Sequence, residues 1–175
     1  PDTLTTLGNG AFAYCLNLER VIFPEYAVIN LTDGSFKFCT KLREINLPNG
    51  ITTISYIMFQ NCTSLTSITV PDTVIIIGGS AFSNCTKLSD VHLSSNIANI
   101  GNSAFWGCTA LSSITLPNSV TWLGMLHDWS FTQPLKHEVP ICFTLSGNVI
   151  LVRELHSWKQ LFPIDVTLSG ILILS

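Results

Sequence analysis

Charged residues are scarce in this chain of 175 residues, in which 8 Lys and Arg stand against 11 Asp and Glu, for a formal net charge of −3. Such a sequence has no basic field of the kind that binds phosphate backbones, which argues against nucleic acid as a partner. No apolar run approaches the roughly 20 residues that cross a bilayer, so membrane insertion is not expected. The start at Pro1 shows neither an initiator Met nor a signal segment, and we therefore expect a mature protein or a fragment of one.

Apolar residues are abundant at 47%, enough for a substantial core, and the chain contains 6 cysteines. Irregularly spaced cysteines would suggest a disulfide framework, but five of these recur at sequence intervals of 24, 23, 23 and 23. They are Cys15, Cys39, Cys62, Cys85 and Cys108. Each lies midway between a phenylalanine on its N-terminal side and a leucine on its C-terminal side, in the pattern F-x-x-C-x-x-L, which establishes an internal repeat.

The rest of the repeat contains two apolar pairs separated by a proline, which Ser94 replaces once. The first pair belongs to the pattern L-x-x-I-x-L, as in "LSSITL". In the five successive copies the second pairs are Val28 and Leu31, Ile51 and Ile54, Val74 and Ile77, Ile97 and Ile100, and Val120 and Leu123. We place the extra residue of the first interval in "FPEYAVINL", because an insertion costs least in a turn.

The repeat divides the chain into two parts. Residues 1–124 hold five copies and the start of a sixth, whereas 125–175 keep only a skeleton of Pro and Thr-x-x-Gly in the same frame. In that skeleton "FTLSG" (143–147) is in phase with "VTWLG" (120–124). We interpret 125–175 as degenerate repeats or a C-terminal cap of the same structure.

A unit as short as this repeat cannot bury its own apolar face, so successive units must stack and share one core. The L-x-x-I-x-L segment predicts a short parallel strand with its apolar residues inward, ended by proline. "VTWLG" predicts a second extended piece, and "NSAFWGC" predicts one turn of helix. The sequence therefore predicts a solenoid with a parallel sheet along one face.

"LPNSVTWLG" together with "NSAFWGCTALSSITLP" resembles the BspA-like leucine-rich repeat family. The resemblance covers about 1–124. It implies a right-handed, β-rich α/β leucine-rich-repeat superhelix and adhesion or protein binding on a cell surface or in secreted form. The family supplies no catalytic residues to transfer to this chain.

The cysteines permit three interpretations. Stacked coils would place neighbouring cysteines about 5 Å apart at Cα, within disulfide range. Side chains stacked by translation have parallel Cα–Cβ vectors, however, whereas a disulfide needs a dihedral near ±90°. We therefore favour a ladder of buried free thiols, with disulfides and metal or catalytic chemistry as alternatives.

The degenerate region concentrates other groups that could bind a metal or form a Cys-His site. They are His127, Asp128, His137, Cys142 and His156. Their spacing matches no close-set zinc ligand pair, so we favour exposed polar residues. We predict no catalytic residue, no cofactor and no metal site.

Outward strand positions between the buried apolar residues offer a surface for binding. They are Arg43, Glu44, Asn46, Thr66, Ser67, Thr69, Ser89, Asp90, His92, Ser112, Ser113 and Thr115. In register, Glu19 would lie beside Arg43 and Arg20 beside Glu44. A broad, mildly polar sheet suits contact with a protein or glycan better than capture of a small molecule in a pocket. The plain alternative is a solvated β-surface with no partner.

These observations predict a non-enzymatic binding or adhesion module of a surface protein, contacting a host matrix protein or a protein of a neighbouring cell. The alternative is a structural spacer in a longer repeat array, with no ligand of its own. Since neither "PDTLTTLG" nor "GILILS" is a polar cap, we also expect a fragment or end-to-end self-association.

Overall fold

Short strands and tight turns alternate along the chain in a computed structural model. The structure describes residues 4–24, 27–117 and 119–120 in full, and only the backbone of 142–145 and 148–150. Its strands are β1 (Thr6–Leu7), β2 (Arg20–Val21), β3 (Asn30–Leu31), β4 (Glu44–Ile45), β5 (Thr53–Ile54), β6 (Ser67–Thr69), β7 (Ile76–Ile77), β8 (Asp90–His92), β9 (Asn99–Ile100), β10 (Ser113–Leu116), β11 (Cys142–Leu145) and β12 (Asn148–Ile150). The described residues include no helix that is long and apolar enough to cross a membrane.

The L-x-x-I-x-L segments form one stack of strands, which we name the first ladder: β2, β4, β6, β8 and β10. Parallel pairing joins β2 to β4, with Arg20 opposite Glu44, and β6 to β8, with Thr66 and Ser89 just before the paired residues. The bonded pairs Arg20–Glu44 and Thr66–Ser89 are 24 and 23 residues apart, which are the two intervals of the sequence repeat. The predicted parallel strands are thereby confirmed.

The second apolar pair of each repeat forms another stack, which we name the second ladder: β1, β3, β5, β7 and β9. β1 pairs with β3, and β5, β7 and β9 form a three-stranded parallel sheet, with Ile54, Ile77 and Ile100 in one row. Where proline precedes these segments, its carbonyl accepts a backbone N–H of the following turn, as the carbonyl of Pro71 accepts Val74 N–H (3.0 Å). Each repeat is thus one coil of a solenoid with two strand stacks.

Between the second and the first ladder each coil makes a tight turn that bonds to the next coil. Phe59 N–H donates to the carbonyl of Ala81 (2.7 Å), and Phe82 N–H to that of Ala104 (2.8 Å). Within the coil, Cys62 N–H donates back to the carbonyl of Phe59 (3.0 Å). The turn is therefore held both by its own backbone and by that of its neighbour.

The predicted turn of helix does not form. In the described residues these segments are non-helical turns. Two residues of each turn have positive φ, which interrupts a right-handed helix. These pairs are Gly10 and Tyr14, Gly34 and Phe38, Ile57 and Asn61, Ser80 and Asn84, Ser103 and Gly107. Every second N–H group of the turn bonds to the neighbouring coil instead of along a helix axis, as those of Gly34, Phe36 and Phe38 do.

A column of phenylalanines runs through the core. Ring centroids of successive coils are 5.3–5.6 Å apart with nearly parallel planes, from Phe12 through Phe36, Phe59 and Phe82 to Phe105. Phe59 is completely buried, whereas Phe12 in the first described coil is 37% exposed. Burial of this column therefore depends on having a coil on each side.

The alignment of Val28 with Ile51 and Val74 as the first member of the second apolar pair is wrong. Val28 is 74% exposed, and Ile29 is buried in its place. Ala27 N–H donates to the carbonyl of Pro24 (3.0 Å), as Val74 does to that of Pro71, and Leu31 pairs with Leu7. The extra residue therefore lies between Ala27 and Leu31, where Val28 bulges outward and Ile29 turns in.

The backbone of β11 continues the first ladder with a longer step than the sequence repeat. Ile114 lies opposite Phe143, and β12 pairs with β11 in antiparallel orientation. The sequence frame instead put 143–147 in phase with 120–124. Residues 125–141, which separate the two strands, lack the Ala-Phe-x-x-Cys segment that recurs in the earlier coils. The division at residue 124 stays a prediction, since most of 125–175 lies outside the described residues.

Candidate functional site

The buried cysteines form a column beside the phenylalanine rings. Cys39, Cys62, Cys85 and Cys108 are free and almost inaccessible to solvent. Each thiol donates to the carbonyl of the phenylalanine one coil back, with Sγ···O distances of 3.0–3.2 Å. The same carbonyl also accepts the N–H of its own coil's cysteine. The carbonyl of Phe59, for example, accepts both the N–H of Cys62 and the thiol of Cys85. The ladder of buried free thiols is confirmed for these four cysteines, whereas Cys15 is free but only partly buried. The acceptors explain why a cysteine suits this position.

Burial makes these thiols poor nucleophiles. Desolvation raises the pKa of Cys39 to about 11 and that of Cys108 to about 12. The pKa values of Cys62 and Cys85 are also raised, first by burial and then by neighbouring cysteines of the column. Because the thiolate is the reactive form, the column is suited to packing and not to chemistry at neutral pH.

The predicted alternative site at His127, Asp128, His137 and His156 lies outside the described residues, as does the side chain of Cys142. In the described part of the chain no cluster of three or more His, Cys, Asp or Glu is placed to hold a metal ion.

All twelve residues of the predicted binding surface are exposed on the first ladder or beside its strands. Their neighbours Leu65, Ile68, Leu88 and Ile114 point inward and are buried. The alternation follows from the period of two along a strand, and the stacking of coils brings the outward positions into rows. We name these twelve residues the strand face.

Charges at one end of the strand face pair across coils. Arg20 Nε lies 2.9 Å from Glu44 Oε2 and its Nη2 lies 3.0 Å from Oε1, so the predicted pair forms as a two-point contact. Glu19 and Arg43 are joined through the backbone instead, since Arg43 N–H donates to the carbonyl of Glu19 (2.9 Å). Both charged groups of the Arg20–Glu44 pair remain more than half exposed, at 64% and 56%.

Asn46 has a structural role that the sequence reasoning missed. Its carboxamide accepts from the N–H of Phe23 (2.6 Å) and donates to the carbonyl of the same residue (2.8 Å). The side chain thereby extends the contact between β2 and β4 beyond the paired residues. An asparagine at an outward position just after a short strand was the available signal.

The centre of the strand face is polar and close to neutral. His92 Nε2 lies 3.1 Å from Asp90 Oδ2, and Ser89 Oγ donates to the carbonyl of Thr66 (3.4 Å). Ser67 and Thr69 lie beside them on β6, with no hydrogen-bond partner for their hydroxyls in the described part of the chain. These hydroxyls are free to bond to a molecule that covers the face.

A shallow cavity of about 280 Å³ interrupts the strand face between β4 and β6. Its walls include Glu44, Asn46, Ser67 and Thr69, and its floor includes the aliphatic residues Ile45 and Ile68. The arrangement fits contact over a surface better than enclosure of a small molecule.

Stacked coils of one repeat each, with two parallel ladders and a shared apolar core, define a leucine-rich-repeat solenoid. The chain belongs to the family described as BspA type leucine rich repeat region, which matches residues 1–133 in 6 copies. No curated protein matches the chain.

Solved structures of bacterial leucine-rich repeat proteins share this fold. A leucine-rich repeat protein of T. pallidum is 36% identical with a TM-score of 0.61, over 65% of this chain and 52% of its own. A leucine-rich cell surface protein of Faecalibacterium prausnitzii is 33% identical with a TM-score of 0.60, over 63% and 29%. A leucine-rich repeat protein of Eubacterium ventriosum is 30% identical with a TM-score of 0.62, over 69% and 32%. The matched region thus spans from under a third to about half of these structures.

Proposed function

We propose that this chain is a non-catalytic protein-binding and adhesion module of a cell-surface protein, and that it binds through the strand face. The observation that carries the proposal is the exposure of all twelve strand-face residues along one ladder of the stacked coils. Leucine-rich repeats are generally protein-interaction modules, and one of the similar solved structures is that of a cell surface protein. The partner would be a host matrix protein or a protein on a neighbouring cell.

Two features of the strand face support contact with a protein. The face has a shallow depression between β4 and β6, and it mixes hydroxyls with the Asp90–His92 pair and the charged Arg43 and Glu44. Such a surface offers hydrogen-bonding groups spread over several coils, which suits the extended polar contacts made with a protein partner.

The test is binding of the purified chain to immobilised collagen, laminin, fibronectin and fibrinogen, measured by biolayer interferometry. The strand-face variant carries T66A, S67A, D90A and H92A, all at exposed positions. A matched control carries T6A, N30A, T52A and D72A, four exposed positions outside the first ladder. Thermal unfolding followed by circular dichroism verifies that both variants fold.

We expect the strand-face variant to lose at least about tenfold in affinity, equivalent to about 1.4 kcal/mol, while the control keeps it. Equal affinities for both variants would rule out the strand face. Failure of the unmodified chain to bind any matrix protein, while a longer protein containing it adheres, would favour the spacer function.

A further inference from the structure

A groove crosses neighbouring coils at the point where the backbone of each coil leaves the second ladder and enters the tight turn. It has a volume of about 510 Å³ and is lined by Tyr56, Gly79, Ser80, Gly101, Asn102 and Ser103. Residues 56, 79 and 102 occupy the same position of three successive repeats, and 80 and 103 occupy the next. The groove therefore runs along the stack, away from the strand face.

Close packing of the coils explains why this surface is hollow. A Cβ atom on Gly78 would lie 2.8 Å from the carbonyl carbon of Ser55, and one on Gly101 would lie 2.5 Å from the backbone nitrogen of Gly79. Neither position can hold a side chain without a backbone shift. The glycines that let the coils approach thus leave the surface above them bare.

Tyr56 forms an aromatic wall at one end of the groove. Its side chain is 56% exposed, and a Cβ on Gly79 would meet its ring at 3.5 Å. The backbone N–H of Tyr56 donates to Asp33 Oδ1 on the preceding coil (3.1 Å). The ring is therefore carried on a fixed backbone and stands beside a floor of bare glycine.

Neutral polar groups occupy the rest of the groove. The side chains of Ser80, Asn102 and Ser103 make no hydrogen bond to the residues that the structure describes, although Asn102 uses its backbone carbonyl to accept Ser80 N–H (2.8 Å). Ser80 and Ser103 have φ values of 52° and 55°, so the turn conformation fixes where their hydroxyls start. None of the described residues that line the groove carries an ionised side chain.

We propose that this groove binds a neutral carbohydrate unit. A pyranose ring has an apolar face, which packs on an aromatic ring, and a rim of hydroxyls, which bond to serine and amide groups. A phosphate or an acidic sugar would find no cation among the lining residues, and a purely apolar ligand would leave two hydroxyls and a carboxamide unpaired. Tyr56 would stack on the sugar, and Ser80, Asn102 and Ser103 would bond to its hydroxyls. This site is independent of the protein contact proposed for the strand face.

Saturation-transfer-difference NMR of the whole chain with cellotriose, triacetylchitotriose and lactose tests the proposal. An open groove of this kind should bind with a Kd of about 1 mM. We expect Tyr56→Ala to weaken binding at least about tenfold and Tyr56→Phe, which keeps the ring, to weaken it less than about threefold. Gly79→Ala should also weaken binding, because its methyl group would fill the floor with only ordinary contacts at 3.5 Å.

Tyr14→Ala serves as the control, since Tyr14 is 61% exposed, stacks on Phe38 and lies outside the groove. It should bind the sugars as the unmodified chain does. Absence of transfer to all three neutral sugars would overturn the proposal. So would undiminished binding by Tyr56→Ala, or a clear preference for a sialylated trisaccharide over the neutral ones. Circular dichroism of each variant separates loss of a contact from loss of folding.

Discussion

The interior of this solenoid repeats itself from coil to coil, whereas the strand face differs in each coil. Phe, Cys and Leu recur inside at every step, but the outward residues following the inward leucine change from Arg43 and Glu44 to Thr66 and Ser67. An interior residue must fit its counterparts above and below, so a fixed step favours the same side chain each time. Outward residues have no such constraint and vary from coil to coil, and under the proposed function this variety would let a partner recognise one part of the stack.

The largest expected difference lies between a central and a terminal rung of the phenylalanine column. Phe59→Ala should lower the free energy of unfolding by about 3–5 kcal/mol, because the ring is fully buried between Phe36 and Phe82. Phe12→Ala should cost roughly half of that or less, since Phe12 is 37% exposed. Urea unfolding followed by circular dichroism measures both. Equal losses would contradict the dependence of burial on flanking coils.

The cysteine column predicts a loss of stability at alkaline pH. In the unfolded chain the thiols ionise near their ordinary pKa of 9.0, whereas Cys39 and Cys108 in the folded chain stay protonated up to pKa values of about 11 and 12. The folded state therefore binds more protons above pH 9, and its free energy of unfolding falls as pH rises. At one pH unit above the unfolded pKa the loss is about 1.4 kcal/mol for each such thiol.

Urea unfolding midpoints between pH 8 and pH 10, a range of about two units around the thiol pKa, measure this loss. Cys85→Ala removes one buried thiol and should give a shallower fall with pH than the unmodified chain. An identical slope would show that other groups cause it.

Asn46 and Thr69 occupy the same position of successive repeats, and the account gives them different roles. Asn46→Ala should cost about 1–2 kcal/mol, because it removes both hydrogen bonds to the backbone of Phe23. Thr69→Ala should stay within about 0.5 kcal/mol. Thermal unfolding of the two variants checks the pair, and a reversed order would contradict the structural role of Asn46.

The smallest effect is expected from the exposed ion pair. Arg20→Ala should cost no more than about 1 kcal/mol, because both charged groups are largely solvated. The effect should shrink further as salt is added. A double-mutant cycle with Glu44→Ala isolates the pair, and Arg43→Ala is the control at a neighbouring exposed position. A coupling well above this range would mean that the pair contributes to the architecture.

The repeat made much of the fold predictable, because a constant period fixes which side chains share a row. The Arg20–Glu44 pair and the inward Phe, Cys and Leu follow from that register alone. The spacing does not say which residue of an inserted turn bulges, and so Val28 was paired with Leu31 where the structure buries Ile29. Nor does it reveal the positive φ of Ile57 and Ser80, since such values are unusual for residues other than glycine.

The functional surfaces were predictable to a smaller extent. Alternation along a strand identified the strand face, but the bonds of Asn46 depend on where β2 ends relative to Phe23. The groove beside Tyr56 depends on coil-to-coil distances at Gly78 and Gly101, for which the sequence shows only glycines in a turn. Side-chain exposure follows from the period, whereas cavities follow from packing distances.

Photo-crosslinking to a bound partner tests the central claim, that the strand face is the binding surface, most directly. p-Benzoylphenylalanine would replace either Thr69 on β6 or Asn30 on β3, each exposed and on a different ladder. The account predicts that a matrix protein bound by the chain is cross-linked from position 69 and not from position 30. Cross-linking from position 30 alone, or equally from both, would contradict it.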